Sequence, residues 1–259
     1  MKIILLCLTL FFLSADSYAK VVLQRHTDSG DYRIAIRGEI RPEDLSTFKK
    51  YMGWLDRQKL KIKVGGDEKN FDYCVSLDST GGDVMTALAI GNLMFENQLA
   101  ALVELGTSCS SACVYILASS VIRTPLSADI NIHRPYSSST DTSFAQVASD
   151  FAKIERIAVY QFKRVGVSAE LWNAMMRVAP ETTRRLSIEE IQRFGLLGAD
   201  PAYEDAMDSR SAKRLGITKH EYLRRKAIRE KCLEDEKAKN PDPYLYPKQY
   251  IYCSELAGI

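Results

Sequence analysis

The sequence predicts an α/β fold. Short β-branched or apolar segments alternate with segments of helical apolar spacing through the middle of the chain. Glycine turns sit where a strand gives way to a helix. The 259 residues are also enough to bury one sizeable core with an appendage.

The elements follow in order. Residues 21–24 and 32–37 read as short strands around the turn Asp28-Ser29-Gly30-Asp31. Residues 42–55 carry Leu45, Phe48, Met52 and Leu55 at helical spacing, and Pro42 suits a first helical turn. A turn at residues 65–70 precedes a β-branched and aromatic strand at 71–77. Gly81 opens a helix with Val84, Leu88, Gly91 and Met94 as its apolar stripe. Residues 99–105 are a buried strand, 112–118 a buried helix and 130–132 a short strand. After a polar loop at 137–142, helices follow at 144–162, 169–176 and 186–196, the first amphipathic and the last ending near Gly195. This alternation predicts right-handed crossovers. The sequence shows no internal repeat.

Both ends read differently. Lys2, the apolar run from Ile3 to Leu13 and the pattern Ser17-Tyr18-Ala19 form a signal peptide over residues 1–19, so a secreted mature chain begins at Lys20. An uncleaved anchor is the alternative, but the run is short of the roughly 20 residues a spanning helix needs. No later segment is long and apolar enough to span a bilayer. Residues 20–204 are expected as the α/β domain and 205–259 as a helical basic appendage. Residues 210–231 hold nine Lys or Arg against two Glu. The overall net charge of +2 names no partner, and a solvated helix face explains the basic run without one.

The mature chain keeps Cys74, Cys109, Cys113, Cys232 and Cys253, an odd number. Cys232 and Cys253 flank a proline-rich tail and are expected to pair, which contributes about 3 kcal/mol in the chain-entropy model. Cys109 and Cys113 sit four apart on one face of the expected helix, where geometry does not favour a bond. Cys74 reaching either of them is the other arrangement.

Three motifs carry chemistry. The turn Asp78-Ser79-Thr80-Gly81-Gly82-Asp83 leaves backbone N–H groups uncovered by side chains at a helix start, where negative charge is favoured. Alone it also reads as a plain strand-to-helix turn. Ser111 follows a strand and precedes a helix, which places a hydroxyl at a sheet edge, and Ala112 adds an N–H. Alone, the serines there read as helix caps. His133 ends a short strand 22 residues after Ser111 and is the best general base among His26, His133 and His220. Together they supply a nucleophile, a base and an oxyanion site.

With those residues in place, the chain resembles the ClpP/crotonase superfamily, and within it the secreted or periplasmic Clp protease-like proteins of bacteria. Ser79-Thr80-Gly81-Gly82 resembles the family's Ser-Pro-Gly-Gly loop. Cys109-Ser110-Ser111-Ala112 resembles its Ala-Ala-Ser-Met nucleophile motif, and Ile132-His133-Arg134-Pro135 its Ile-His-Gln-Pro motif. Leu186-Ser187 through Phe194-Gly195-Leu196 resembles its late Leu-Ser…Tyr-Gly-Leu element. The resemblance spans residues 34–200 in the family's motif order. It implies a spiral of ββα units, Ser111 as nucleophile, His133 as base, and Gly81 and Ala112 as oxyanion donors. It also implies a homo-oligomer and a periplasmic location. The chain departs from the family where its acid lies: residues 175–185 hold no aspartate. Glu181 is the expected substitute. Thr182 orienting the imidazole, or a Ser-His dyad, are the other arrangements.

The reading is a secreted, ATP-independent serine peptidase acting on a peptide or protein substrate. The alternative is a catalytically weak or inactive scaffold whose basic appendage binds an envelope partner or anionic surface. A nucleophilic Cys109 or Cys113 is a third reading, set against the pairing expected in an oxidising compartment. A crotonase-like acyl-CoA enzyme fits an extracytosolic chain least. No nucleic-acid partner and no cofactor are expected. No His/Cys spacing suits zinc and no phosphate-binding loop is present.

Overall fold

β3 (Cys74–Gly82) is the strand from which the site is hung. The computed structural model describes residues 20–25, 32–63, 74–127, 129–136, 143–241 and 246–259. The expected signal peptide and the turns at 28–31, 65–70 and 137–142 lie outside them. The chain divides into two compact units, Met1–Gly198 and Ala199–Ile259.

In the first unit, β1 (Lys20–Arg25) pairs antiparallel with β2 (Tyr32–Ile40), and β2 runs parallel to β3. β3 also pairs parallel with β4 (Ala100–Val103) along Cys74–Ser76 and with β5 (Cys109–Ser110) at Ser79. β6 (Ile122–Pro125) extends the β4 side. β7 (Ile130–Ile132) lies parallel on β5, and β8 (Arg184–Arg185) closes that side antiparallel. The sheet is therefore mixed, and with its helices the unit is α/β.

The helices are α1 (Asp44–Lys63), α2 (Val84–Glu96), α3 (Cys113–Ala118), α4 (Phe144–Arg164), α5 (Glu170–Met176) and α6 (Ile188–Arg193). Every residue of α3 is buried, so the segment after Ser111 is a core element. Tyr115 stacks on Phe162 of α4 with ring centroids 6.0 Å apart, and burial pushes its phenol pKa up. Gln161 joins α4 to two neighbours: it accepts from Ser119 Oγ (2.9 Å) and donates to Leu88 O (3.0 Å). A buried amide satisfied on both ends fixes helix position more tightly than apolar contact alone.

The local chemistry moved several expected boundaries. The glycine pair belongs to the end of β3, because φ is +98° at Gly81 and +135° at Gly82, outside helical space. Asp83 caps α2 instead, its Oδ1 accepting from Thr86 N at 2.7 Å. Cys109 and Cys113 do not share a helix face. Cys109 lies in β5 and Cys113 opens α3, a geometry that does allow a bond, and a disulfide joins them at a Cα–Cα distance of 5.3 Å. Cys74 is therefore not bonded to either of them.

The second unit holds α7 (Pro201–Arg214), α8 (Lys219–Lys239) and α9 (Tyr246–Ala257). Asp200 caps α7 and Pro201 opens it. The Cys232–Cys253 disulfide ties α8 to α9 across a separation of 21 residues. Four of the nine cations of the basic run pair with carboxylates of the same unit. Lys219 pairs with Asp205, Arg224 and Arg225 with Glu221, and Lys226 with Glu204 and Asp208. Burial pushes the Lys226 pKa down, but its two carboxylate partners outweigh that and hold it above the usual range. Residues 199–259 carry twelve Lys or Arg against eleven Asp or Glu, so the local surplus does not make a basic unit.

Among the described residues no helix is long and apolar enough to cross a membrane.

A Cβ on Gly82 would stand 2.2 Å from Ile40 O, at a φ that L-residues rarely adopt. Gly82→Ala is expected to lower stability by at least about 3 kcal/mol in denaturant unfolding of the full chain.

Candidate active site

Ser111 sits alone between strand and helix. β5 ends at Ser110, α3 begins at Cys113, and Ser111 has φ +53°. A non-glycine residue in that region costs about 1–3 kcal/mol and persists only where its surroundings hold it. Here the Ser111 N–H donates to Asn131 O (2.9 Å) and its carbonyl accepts from Val114 N (3.0 Å). The elbow is thus tied to β7 on one side and to α3 on the other.

The neighbouring serine is differently placed. Ser110 Oγ accepts from Asn131 Nδ2 at 3.1 Å, and the same amide donates to Asp129 Oδ1 at 3.1 Å. Ser110 therefore serves the β5–β7 pairing. Ser111 lines a cavity of about 870 Å³, and neither Ser110 nor Ala112 is among the residues around it.

Ala112 is fully buried. Its N–H has no hydrogen-bond partner among the described residues. Buried backbone donors are nearly always paired, so an open one beside a strained serine is a feature that needs a use. The end of β3 reaches the same spot. A Cβ on Gly81 would lie 2.5 Å from Ser111 Cβ and 2.9 Å from Ala112 N. The bare glycine backbone is what permits that approach.

The Gly81 N–H is not open. It donates to Ser79 Oγ at 3.1 Å, and that hydroxyl donates to Gly38 O at 2.5 Å. Of the two expected oxyanion donors, Ala112 has no partner among the described residues, and Gly81 is engaged by a buried hydroxyl two residues back.

His133 follows β7 directly, is 9% exposed and lines the same cavity. Its Nδ1 lies 2.8 Å from Arg134 O. A carbonyl only accepts, so Nδ1 carries the proton in the neutral ring and Nε2 keeps the lone pair. The Arg134 N–H in turn donates to Val178 O (3.1 Å), fixing the segment after the imidazole. Glu181 is exposed in the turn before β8 and is not among the residues that line the cavity. Thr182 Oγ1 donates to Ala179 O at 3.3 Å. No hydrogen bond joins Ser111 to His133 among the described residues; such contacts often close only on substrate binding.

The far wall comes from α4. Val147, Phe151 and Ile154 recur at helical spacing and face the cavity, with Tyr136 and Met85 beside them. The amphipathic pattern of residues 144–162 was visible in the sequence, but not what its stripe faces. The roles of Ser79 and Asn131 are set by long-range contacts, for which one sequence carries no signal. Among the described residues no group of three or more His, Cys, Asp and Glu side chains is placed to hold a metal ion.

No protein-family model matches this sequence, and no curated protein matches it. Among solved structures it is similar to a mutant of the 1510-N membrane-bound stomatin-specific protease. The TM-score is 0.43 at 15% identity, covering 68% of this chain and 82% of that one. That similarity assigns no residue here.

The His133 tautomer is directly measurable. In 15N NMR of the neutral ring, Nδ1 is expected at a protonated, pyrrole-type shift and Nε2 at a bare, pyridine-type shift. The reverse assignment would remove Nε2 as a base.

Proposed function

We propose that this chain is a serine hydrolase, acting as an ATP-independent peptidase on peptide or protein substrates. The fold assignment that goes with it is a ClpP/crotonase-like spiral over residues 20–204, with residues 205–259 as an appendage. The setting is secretion to a bacterial periplasm after loss of residues 1–19. The observation that carries the reading is a serine held at φ +53° on the same cavity as His133, next to a buried Ala112 whose N–H has no partner among the described residues.

The chemistry follows from those atoms. Ser111 Oγ attacks the substrate carbonyl carbon while His133 Nε2 takes the hydroxyl proton. The carbonyl π electrons move to oxygen, and the Ala112 N–H donates to the resulting oxyanion. The Gly81 N–H joins it when the oxyanion replaces Ser79 Oγ as acceptor. Collapse expels the amine, which takes the proton back from His133. Water then attacks the acyl enzyme by the same path in reverse. The Arg134 carbonyl orients the imidazole where the family places an acid. A carbonyl carries no full charge, so it stabilises the imidazolium less than a carboxylate does.

That last point favours a second reading, a catalytically weak or inactive scaffold. Binding of an anionic surface through residues 210–231 draws less support, because Glu204, Asp205, Asp208 and Glu221 pair with much of that charge.

Labelling with a fluorophosphonate probe separates the two. Mature protein is expected to form an adduct at Ser111, mapped by mass spectrometry. Ser111→Ala abolishes it and His133→Ala slows it about 10³-fold. Glu181→Gln stays within about threefold, since Glu181 is exposed and does not line the cavity. No adduct under conditions that label a known serine peptidase would leave the scaffold reading.

A further inference from the structure

The Cys109–Cys113 disulfide brackets the nucleophile. It closes the ring Cys109-Ser110-Ser111-Ala112-Cys113, with Ser111 at its centre. One end lies in β5 and the other is the first residue of α3. Both cysteines are fully buried. We propose that this disulfide is a positioning element for catalysis: it holds Ser111 in its left-handed conformation and keeps the Ala112 N–H turned out of the α3 hydrogen-bond pattern. The inference rests on the hydrolase reading of Ser111.

The reasoning is steric and local. Ser111 is not a glycine, so φ +53° is not where the free chain settles. Three hydrogen bonds hold the elbow, Ser111 N to Asn131 O, Val114 N to Ser111 O and Tyr115 N to Ala112 O. They tie the elbow to β7 and to α3, and none of them joins β5 directly to α3. The disulfide does, holding the two Cα atoms 5.3 Å apart. A relaxed elbow would let Ser111 return to negative φ, swinging its hydroxyl and the following N–H together. Gly81 then meets a differently shaped neighbour, since its backbone packs within van der Waals reach of both Ser111 and Ala112. The bond thereby spends its constraint on three residues of which two carry the proposed chemistry. A disulfide placed for stability alone gains most by closing a long loop, as Cys232–Cys253 does, and least by closing this one.

The test uses the full mature chain. Cys109→Ala/Cys113→Ala is compared with wild type. A second arm reduces the protein in a Cys232→Ala/Cys253→Ala background, where dithiothreitol supplies two electrons and two protons and leaves Cys109 and Cys113 as thiols. The fluorophosphonate labelling rate is measured against probe concentration, and amide hydrogen exchange is read on the same samples. The limiting rate at Ser111 is expected to fall about 100-fold while half-saturation moves less than about threefold, as misplacement of a reacting atom produces. The Ser111 and Val114 amides lose protection, and the α3 amides of Ile116 and Leu117 keep theirs. Unchanged labelling beside a labelled wild type overturns the inference and leaves the hydrolase reading intact. Loss of protection through Ile116 and Leu117 also overturns it, since the bond then supports the core as a whole. If wild type does not label, the hydrolase reading falls by itself. Exchange at Ser111 and Val114 then decides the claim: local loss on breaking the bond supports elbow positioning, and unchanged protection overturns it.

Discussion

A β-carbon on Gly81 would stand 2.5 Å from Ser111 Cβ, so the two segments that build the site fit together only because one of them lacks a side chain. Everything around the contact serves that approach. β3 carries Gly81 to it, with Ser79 anchored on Gly38 and paired with β5. β5 and α3 carry Ser111 and Ala112 from the other side, locked to β7 through Asn131. β7 then delivers His133 to the same cavity. Parallel pairing of β3, β5 and β7 gathers a glycine turn, a serine elbow and a histidine at one edge of the sheet.

Much of this was legible in the sequence because it depends on short-range chemistry. Gly81-Gly82, Ser111 between apolar segments and His133 after Ile130–Ile132 all announce themselves by residue type and position. The helix over residues 144–162 was readable from its period. Other features were not. Residues 122–125 and 184–185 are too short to carry a strand period, and their pairing is decided by partners far along the chain. Cys109 and Cys113 suggested a shared helix face, because spacing alone does not reveal that a strand ends between them. The engagement of Gly81 N–H by Ser79 is invisible in sequence for a different reason: it depends on which way one hydroxyl turns.

The orienting group for His133 shows how a site can keep geometry while changing charge. A carbonyl from the next residue fixes the tautomer because it only accepts, but it offers less to an imidazolium than a carboxylate would. The site thus combines a serine held out of its relaxed conformation with an imidazole oriented by a neutral carbonyl. On the hydrolase reading proposed above, such a combination suits slow acyl transfer better than fast turnover. The second unit follows separate rules, with α8 and α9 stapled by Cys232–Cys253 and its charges largely matched inside.

The most direct measurement of the central claim is a crystal structure of the mature protein treated with a peptidyl boronic acid, whose tetrahedral adduct imitates the acyl-transfer intermediate. The account predicts boron bonded to Ser111 Oγ and one boronate oxygen about 2.7–3.1 Å from Ala112 N, with His133 Nε2 on the opposite hydroxyl. A cavity that binds no boronate at Ser111, or an adduct whose oxygens leave the Ala112 N–H unmet, would contradict it.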